Sequence, residues 1–212
     1  MTPVLYDYWR SSAAYPVRIV LNLKRIAYHS VAIDLTSGAQ RSAEHLARNP
    51  QGLVPALDIG GVVLTQSLAI IDYLDAAYPT PAMLPADPLS RAQILATALS
   101  VVADLHPITN LRVLNRLTDQ FGADPAAREA WYRHWVETGL TALEAMRATA
   151  AGPFLGGESP NLADVCLVPQ LYNARRFAVP LDRFPRLVAA NAAAAALPAF
   201  ADAHPDRVRP SA

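Results

Sequence analysis

The order of apolar and polar positions divides the chain into two differently patterned parts. In the first, residues 3–8 read as a strand, residues from about 13 to 25 carry Ile19, Val20 and Leu23 at helical spacing, and Tyr28–Ile33 alternates as a second strand. A polar stretch from Thr36 to about Arg41 leads into a short helix ending at Arg48. Leu53–Ile59 and Val62–Leu64 read as two strands joined at Gly60-Gly61, a dipeptide suited to a tight hairpin. Leu68–Leu74 then reads as a helix with Ser67 near its cap. The predicted order is β-α-β-α-β-β-α, a small α/β unit.

Residues 79–88 hold four prolines and predict a stiff linker. From Leu89 the pattern is helical almost to the end. Ala92, Leu95, Leu99 and Val102 step by three and four, with His106 on the next step, and further helices are expected over about 125–148, 162–176 and 187–202. Asn161 with Asp164 forms a capping box in which Asp stands for the usual Glu, Leu181–Pro185 reads as a turn-rich connection, and the residues after His204 read as a loose tail. Trp131, Tyr132 and Trp135 read as a packing face. The expected domains are 1–80 (α/β), 81–88 (linker) and 89–212 (all-helical).

Composition narrows the class. With 212 residues, 52% of them hydrophobic and 17% charged, the chain is long and apolar enough to fold as one large or two small domains. Lys+Arg and Asp+Glu are both 18, so no global field attracts nucleic acid or an acidic membrane, and any anion site must be local. The one cysteine, Cys166, excludes an internal disulfide and a Cys-x-x-Cys pair and fits a reducing compartment; in Leu162–Val168 it reads as a buried core thiol. The first residues pass into a strand without an apolar leader, and no uncharged run approaches membrane-spanning length, so a cytoplasmic protein is expected. The five histidines are scattered, show no metal-ligand spacing and predict no metal site.

The chemistry is expected in Tyr6–Arg18, where an aromatic strand runs through Ser11 and Ser12 into a helix. First-turn N–H groups lack intrahelical partners and, with the helix dipole, favour negative charge. With Ser12 as N-cap, Pro16 forfeits only the first bond of the ladder; with Ser11 as cap it sits deeper. Such a terminus can hold a thiolate, or the two serines can simply cap a helix. Pro55, between strand residues, fits either an edge strand or a cis peptide after Val54 that turns the Val54 backbone toward an extended ligand.

Together these features resemble the cytosolic glutathione transferases, which pair an N-terminal thioredoxin-like α/β domain with a C-terminal helical domain. Arg10-Ser11-Ser12 with Val17-Arg18-Ile19, Asn49-Pro50, Gln66–Ile71 and Asn173–Phe177 resemble the zeta class, which includes maleylacetoacetate and maleylpyruvate isomerases. The resemblance spans essentially the whole chain and implies glutathione as cofactor. Ser11, with Ser12 beside it, would hold the sulfur, Val54 next to cis-Pro55 would pair with the cysteinyl unit, Gln66 and Ser67 would hold the γ-glutamyl end, and Gln40 would contact the tripeptide. His106, Asn110 and Arg112 match the family's His-Pro-x-x-Asn-x-Arg pattern, and Arg176 matches a pocket arginine. By spacing, His106 and Asn110 share a helix face while Arg112 points away, with a kink expected at Pro107. His106 fits a core histidine equally well.

The implied activity is cis–trans isomerisation of a maleyl keto-diacid by thiolate addition, bond rotation and elimination, within aromatic amino acid catabolism. Arg10 and Arg176 are the candidate fixed cations for the substrate's carboxylates and the developing oxyanion; surface or interdomain ion pairing is the alternative for both. Two departures stand out: Ala13 removes any second thiol beside the serines, and Pro16 replaces a family arginine. A general glutathione transferase acting on electrophiles such as haloacids, and a non-catalytic binding protein on the same fold, are the alternatives. A homodimer with a dicarboxylic keto acid substrate, and no nucleic-acid or membrane partner, is expected.

Overall fold

The computed structural model describes residues 1–210. The chain forms two compact units, one of Met1–Ala82 with the segment from Ala196, the other Met83–Ala195.

In the first unit β1 (Val4–Asp7), α1 (Ala14–Leu23), β2 (His29–Ala32), α2 (Ala43–Arg48), β3 (Ala56–Asp58), β4 (Val63–Thr65) and α3 (Ser67–Ala77) follow in the predicted order. The sheet order is β2-β1-β3-β4; β1 and β2 are parallel and the other pairs antiparallel. Leu5 and Leu57 pair across β1 and β3 and are fully buried, with Val17 and Val20 of α1 and Ile70 and Leu74 of α3 also in the core. The third strand is shorter than its apolar run, because residues 53–55 leave the ladder at a cis Val54–Pro55 peptide. Of the two readings left open for Pro55, the cis peptide is the one found. Thr80–Pro81 is also cis. β2 is exposed along its whole length, so its alternation does not mark a buried face; it is an edge strand.

The segment from Ala196 does not belong with the helical unit, as the expected 89–212 boundary would have it. Helix α10 (Pro198–Asp202) packs on α1, and α11 (Pro205–Val208) follows. Every residue of α1 from Ala14 to Leu21 is buried, Arg18 included. The Arg18 guanidinium donates to Asp7 Oδ2 at 2.6 Å, to the Trp9 carbonyl at 3.0 Å and to the Ala203 carbonyl at 3.1 Å. Asn22 donates to the Ala199 carbonyl at 3.0 Å, and the His204 ring meets Tyr15 edge-on. Buried donors thus hold the segment as far as Ala203, and the residues after His204, expected as a loose tail, form α11 with Pro205 buried, Arg209 lying 5.0 Å from the Trp9 ring centroid.

The second unit contains α4 (Pro88–Leu99), a π-helical turn (Ser100–Leu105), α5 (His106–Thr109), α6 (Leu111–Phe121), α7 (Pro125–Arg147), α8 (Leu162–Arg176) and α9 (Pro185–Ala195). The helical spacing of Ala92, Leu95, Leu99 and Val102 is found, but this stripe is not the most buried face. Ile94, Thr97, Ala98, Val101 and Leu105 are buried, while Ala92 and Leu99 are exposed. Both faces are apolar, so periodicity could not choose between them. Pro107 lies in the first turn of α5, directly after the π-helical turn. It cannot donate and its ring crowds the carbonyl four residues back, and the widened π turn before it accommodates both effects. The expected helix over 187–202 is interrupted at Ala196 and Leu197.

Helix α8 is the core of this unit, buried from Leu162 to Leu171. Its capping box forms as predicted, with Asp164 accepting from the Asn161 N–H at 3.0 Å and the Leu155 N–H at 2.8 Å. Burial pushes the Asp164 carboxyl up to about 6 and the Cys166 thiol up to about 12, so Cys166 is an inert packing residue.

Replacing Arg18 with alanine would strand the Asp7 carboxylate and two buried carbonyls. We expect urea unfolding to show a loss of about 3–5 kcal/mol, the range for breaking a buried ion pair from one side. A loss within about 0.5 kcal/mol, typical of surface positions, would contradict that role.

Candidate active site

In the first unit the chain leaves β1 at Asp7 and turns through Tyr8–Ala13 into α1. The cap is Ser11, not Ser12. Ser11 Oγ accepts from the Ala14 N–H at 3.2 Å and the Ser11 carbonyl accepts from the Tyr15 N–H at 3.0 Å. Pro16 therefore sits deeper in the helical ladder than the Ser12 reading had it. Ser11 is half-buried, and its hydroxyl hydrogen is given to no other group among the described residues, leaving one donor at the positive end of a buried helix. Ser12 is half-buried beside it. Arg10 lies with its guanidinium 5.0 Å from the Trp9 ring centroid.

Gln40 lies in a 3₁₀ turn (Ala39–Arg41), and its Oε1 is buried with no hydrogen-bond partner among the described residues. Val54, buried between α2 and β3 in sequence, has neither its N–H nor its carbonyl in a hydrogen bond among the described residues. Gln66 caps α3 with φ +68° and ψ +118°, a left-handed conformation that costs a non-glycine residue about 1–3 kcal/mol and gathers at functional sites. Its Nε2 donates to Gln51 Oε1 at 2.7 Å. Ser67 is the first residue of α3, at the helix's positive end.

Sequence reasoning missed what holds this edge in place. His45 Nε2 and Asn49 Nδ2 both lie 2.9 Å from the Leu53 carbonyl, and both side chains are almost fully buried. Asn49-Pro50 was visible as a motif, but its partner in space was not.

In the second unit Asn110 breaks the helix rather than continuing it. It is extended (φ −76°, ψ +163°) and caps α6, its Oδ1 accepting from the Val113 N–H at 3.2 Å. The shared-face argument for His106 and Asn110 therefore does not hold, and Arg112 comes near enough for its charge to act on the His106 ring. Loss of water around the ring, then the Arg112 charge, bring His106 down to about 4, so it is neutral at pH 7. Trp131 donates to the Ile108 carbonyl at 2.8 Å and pins this segment to α7. Gly139 lets the π turn approach, since a Cβ there would lie 2.1 Å from Leu105 Cδ1. Arg176, exposed at the end of α8, donates to Asn173 Oδ1 at 3.0 Å.

The comparisons agree with this geometry. Residues 5–82 match the glutathione S-transferase N-terminal domain and residues 129–203 the C-terminal domain. The chain belongs to the glutathione S-transferase family. It is 51% identical to a maleylacetoacetate isomerase of Rhizobium meliloti over 98% of each chain, and 46% identical to a maleylpyruvate isomerase of a Ralstonia species over 95% and 96%. Among solved structures it resembles a holo maleylpyruvate isomerase described as a bacterial zeta-class transferase, with TM-score 0.96, 45% identity and coverage of 99% and 100%. It also resembles a maleylacetoacetate isomerase of Anaeromyxobacter dehalogenans with bound glutathione, with TM-score 0.89, 43% identity and coverage of 100% and 98%. The donors and acceptors left open in this transferase's first unit suit a tripeptide. Ser11 offers an O–H, Val54 an N–H and a carbonyl, and Gln40 a buried acceptor.

The sign of the His106 effect is fixed by its lowered value. Its neutral form is favoured on folding, so it contributes stability that is present above its unfolded value near 6.5 and lost as pH falls toward 4. NMR titration should find the ring neutral down to about pH 4, and His106→Gln should lose less stability than the parent between pH 6.5 and 4. A ring that titrates near 6.5 would refute this.

Proposed function

We propose that the protein is a cytoplasmic, homodimeric, glutathione-dependent isomerase that converts a maleyl keto-diacid, maleylacetoacetate or maleylpyruvate, to its fumaryl isomer. The observation that carries the reading is the combination in one unit of an undonated Ser11 hydroxyl at a helix terminus and an unpaired Val54 backbone edge. A related Anaeromyxobacter dehalogenans isomerase has been solved with dicarboxyethyl glutathione and citrate bound, ligands that carry several carboxylates. This favours a diacid over a neutral electrophile.

When bound, glutathione supplies the sulfur nucleophile whose addition turns the cis double bond into a rotatable single bond and whose departure restores the double bond. Ser11 donates its hydrogen to the sulfur and, with the α1 dipole, keeps it ionised. Ser12 flanks it. Val54, next to cis-Pro55, pairs its backbone with the cysteinyl unit. Gln40 accepts a tripeptide N–H, and Gln66 and Ser67 hold the γ-glutamyl carboxylate at the head of α3. His106, Asn110 and Arg112 are the further candidates that match the family's pattern, with neutral His106 available as a hydrogen-bonding group rather than a charge. Arg10 and Arg176 are each a candidate cation for a substrate carboxylate or the developing oxyanion.

Spectrophotometric assay of both diacids should show isomerisation that requires glutathione and regenerates it. Ser11→Ala should lower kcat about 10–100-fold, the worth of a hydrogen bond to an ionised group, while Arg176→Gln should chiefly raise KM for the diacid. Turnover without glutathione, or full activity in Ser11→Ala, would overturn the mechanism.

A further inference from the structure

Two buried side chains converge on one carbonyl oxygen in the first unit. His45, inside α2, and Asn49, at its C-terminal cap, are 1% and 2% exposed, and each places a nitrogen 2.9 Å from the Leu53 oxygen. Neither assignment is ambiguous. Asn49 Oδ1 already accepts from the Gln51 N–H at 3.1 Å, so the nitrogen of its amide faces Leu53. A carbonyl can only accept, so His45 Nε2 carries a hydrogen, and in the neutral ring Nδ1 is then an acceptor. That Nδ1 is buried with no partner among the described residues. A merely space-filling position would be served better by an apolar ring without the cost of an unpaired polar atom.

The Leu53 carbonyl and the Val54 N–H belong to the same peptide group, and this peptide is trans. In a trans peptide the C=O and N–H point in opposite directions. Two donors that aim the carbonyl at α2 therefore aim the Val54 N–H away from it. They also withdraw electron density from the group and make that N–H a stronger donor, since hydrogen bonds through one amide reinforce each other.

We propose that His45 and Asn49 are positioning residues for glutathione, holding and polarising the Leu53–Val54 peptide so that the Val54 N–H is presented to the tripeptide. The proposal rests on the glutathione reading above and deepens it. Neither side chain is assigned a contact with the cofactor or the substrate.

The test uses the full-length protein. In the parent, nitrogen-15 long-range NMR correlation should show His45 hydrogen-bearing at Nε2; a hydrogen on Nδ1 alone overturns the proposal. In the absence of glutathione, His45→Phe should move the Val54 amide proton upfield; an unmoved resonance in the folded variant overturns it. His45→Phe and Asn49→Ala should each raise KM and Kd for glutathione about 5–10-fold, the worth of one hydrogen bond, with kcat changed less than about twofold. His45→Gln, which keeps a donor, should recover most of the loss. Equal effects of Phe and Gln, or a fall in kcat at constant KM, count against it. If His45→Phe does not fold, the parent's tautomer and His45→Gln still decide the matter. Calorimetry separates the two layers: a parent that binds no glutathione removes both the functional reading and this proposal, whereas a parent that binds and variants that bind equally well remove the proposal alone.

Discussion

The shape of the serine turn depends on one buried cation. Arg18 stands one turn into α1, and its guanidinium fixes the end of β1 through Asp7, the loop before Ser11 through the Trp9 carbonyl, and the C-terminal segment through the Ala203 carbonyl. Desolvating such a group is expensive, and an apolar residue of the same volume could stabilise the fold as well. What an apolar residue could not supply is direction. Three donors at fixed angles set where the chain turns between Asp7 and Ala14, and so where the Ser11 hydroxyl lies relative to the helix axis. Burial still raises the Asp7 carboxyl above its usual value despite the cation beside it, which shows how dry this junction is.

A second constraint acts in the same unit, at the Leu53–Val54 peptide. The Leu53 carbonyl is held twice from α2, and the Val54 N–H and carbonyl make no hydrogen bond among the described residues. Gln66 adds a strained backbone at the start of α3. Ser11, Val54 and Gln66 thus each stand where regular structure stops, at a helix start or beside a strand. Such places leave backbone and hydroxyl groups unspent.

The sequence carried the element order of the first unit almost without loss, because β1, α1, the Gly60-Gly61 hairpin and α3 each have a local cause. The capping box at Asn161 and Asp164 and the apolar character of Cys166 were equally local. Errors arose where the deciding partner was distant. The buried face of α4 could not be chosen, since Leu95 and Leu99 look as apolar as Ile94 and Ala98. The C-terminal segment joins the first unit through bonds from Arg18 and Asn22, more than 170 residues earlier. The break at Asn110 depends on a cap and on the π turn before Pro107, neither of which a regular 3.6-residue period can express. The clamp on Leu53 joins residues only four and eight positions away, yet it needs the α2 geometry to be seen.

The central claim is that Ser11, at the head of α1, holds a borrowed sulfur in its ionised form. Titrating the thiolate absorbance of glutathione bound to the parent and to Ser11→Ala tests it directly. The account predicts a sulfur pKa well below that of free glutathione in the parent and a return toward the free value in the variant. An unshifted pKa in the parent, or an equal shift in both proteins, would contradict it.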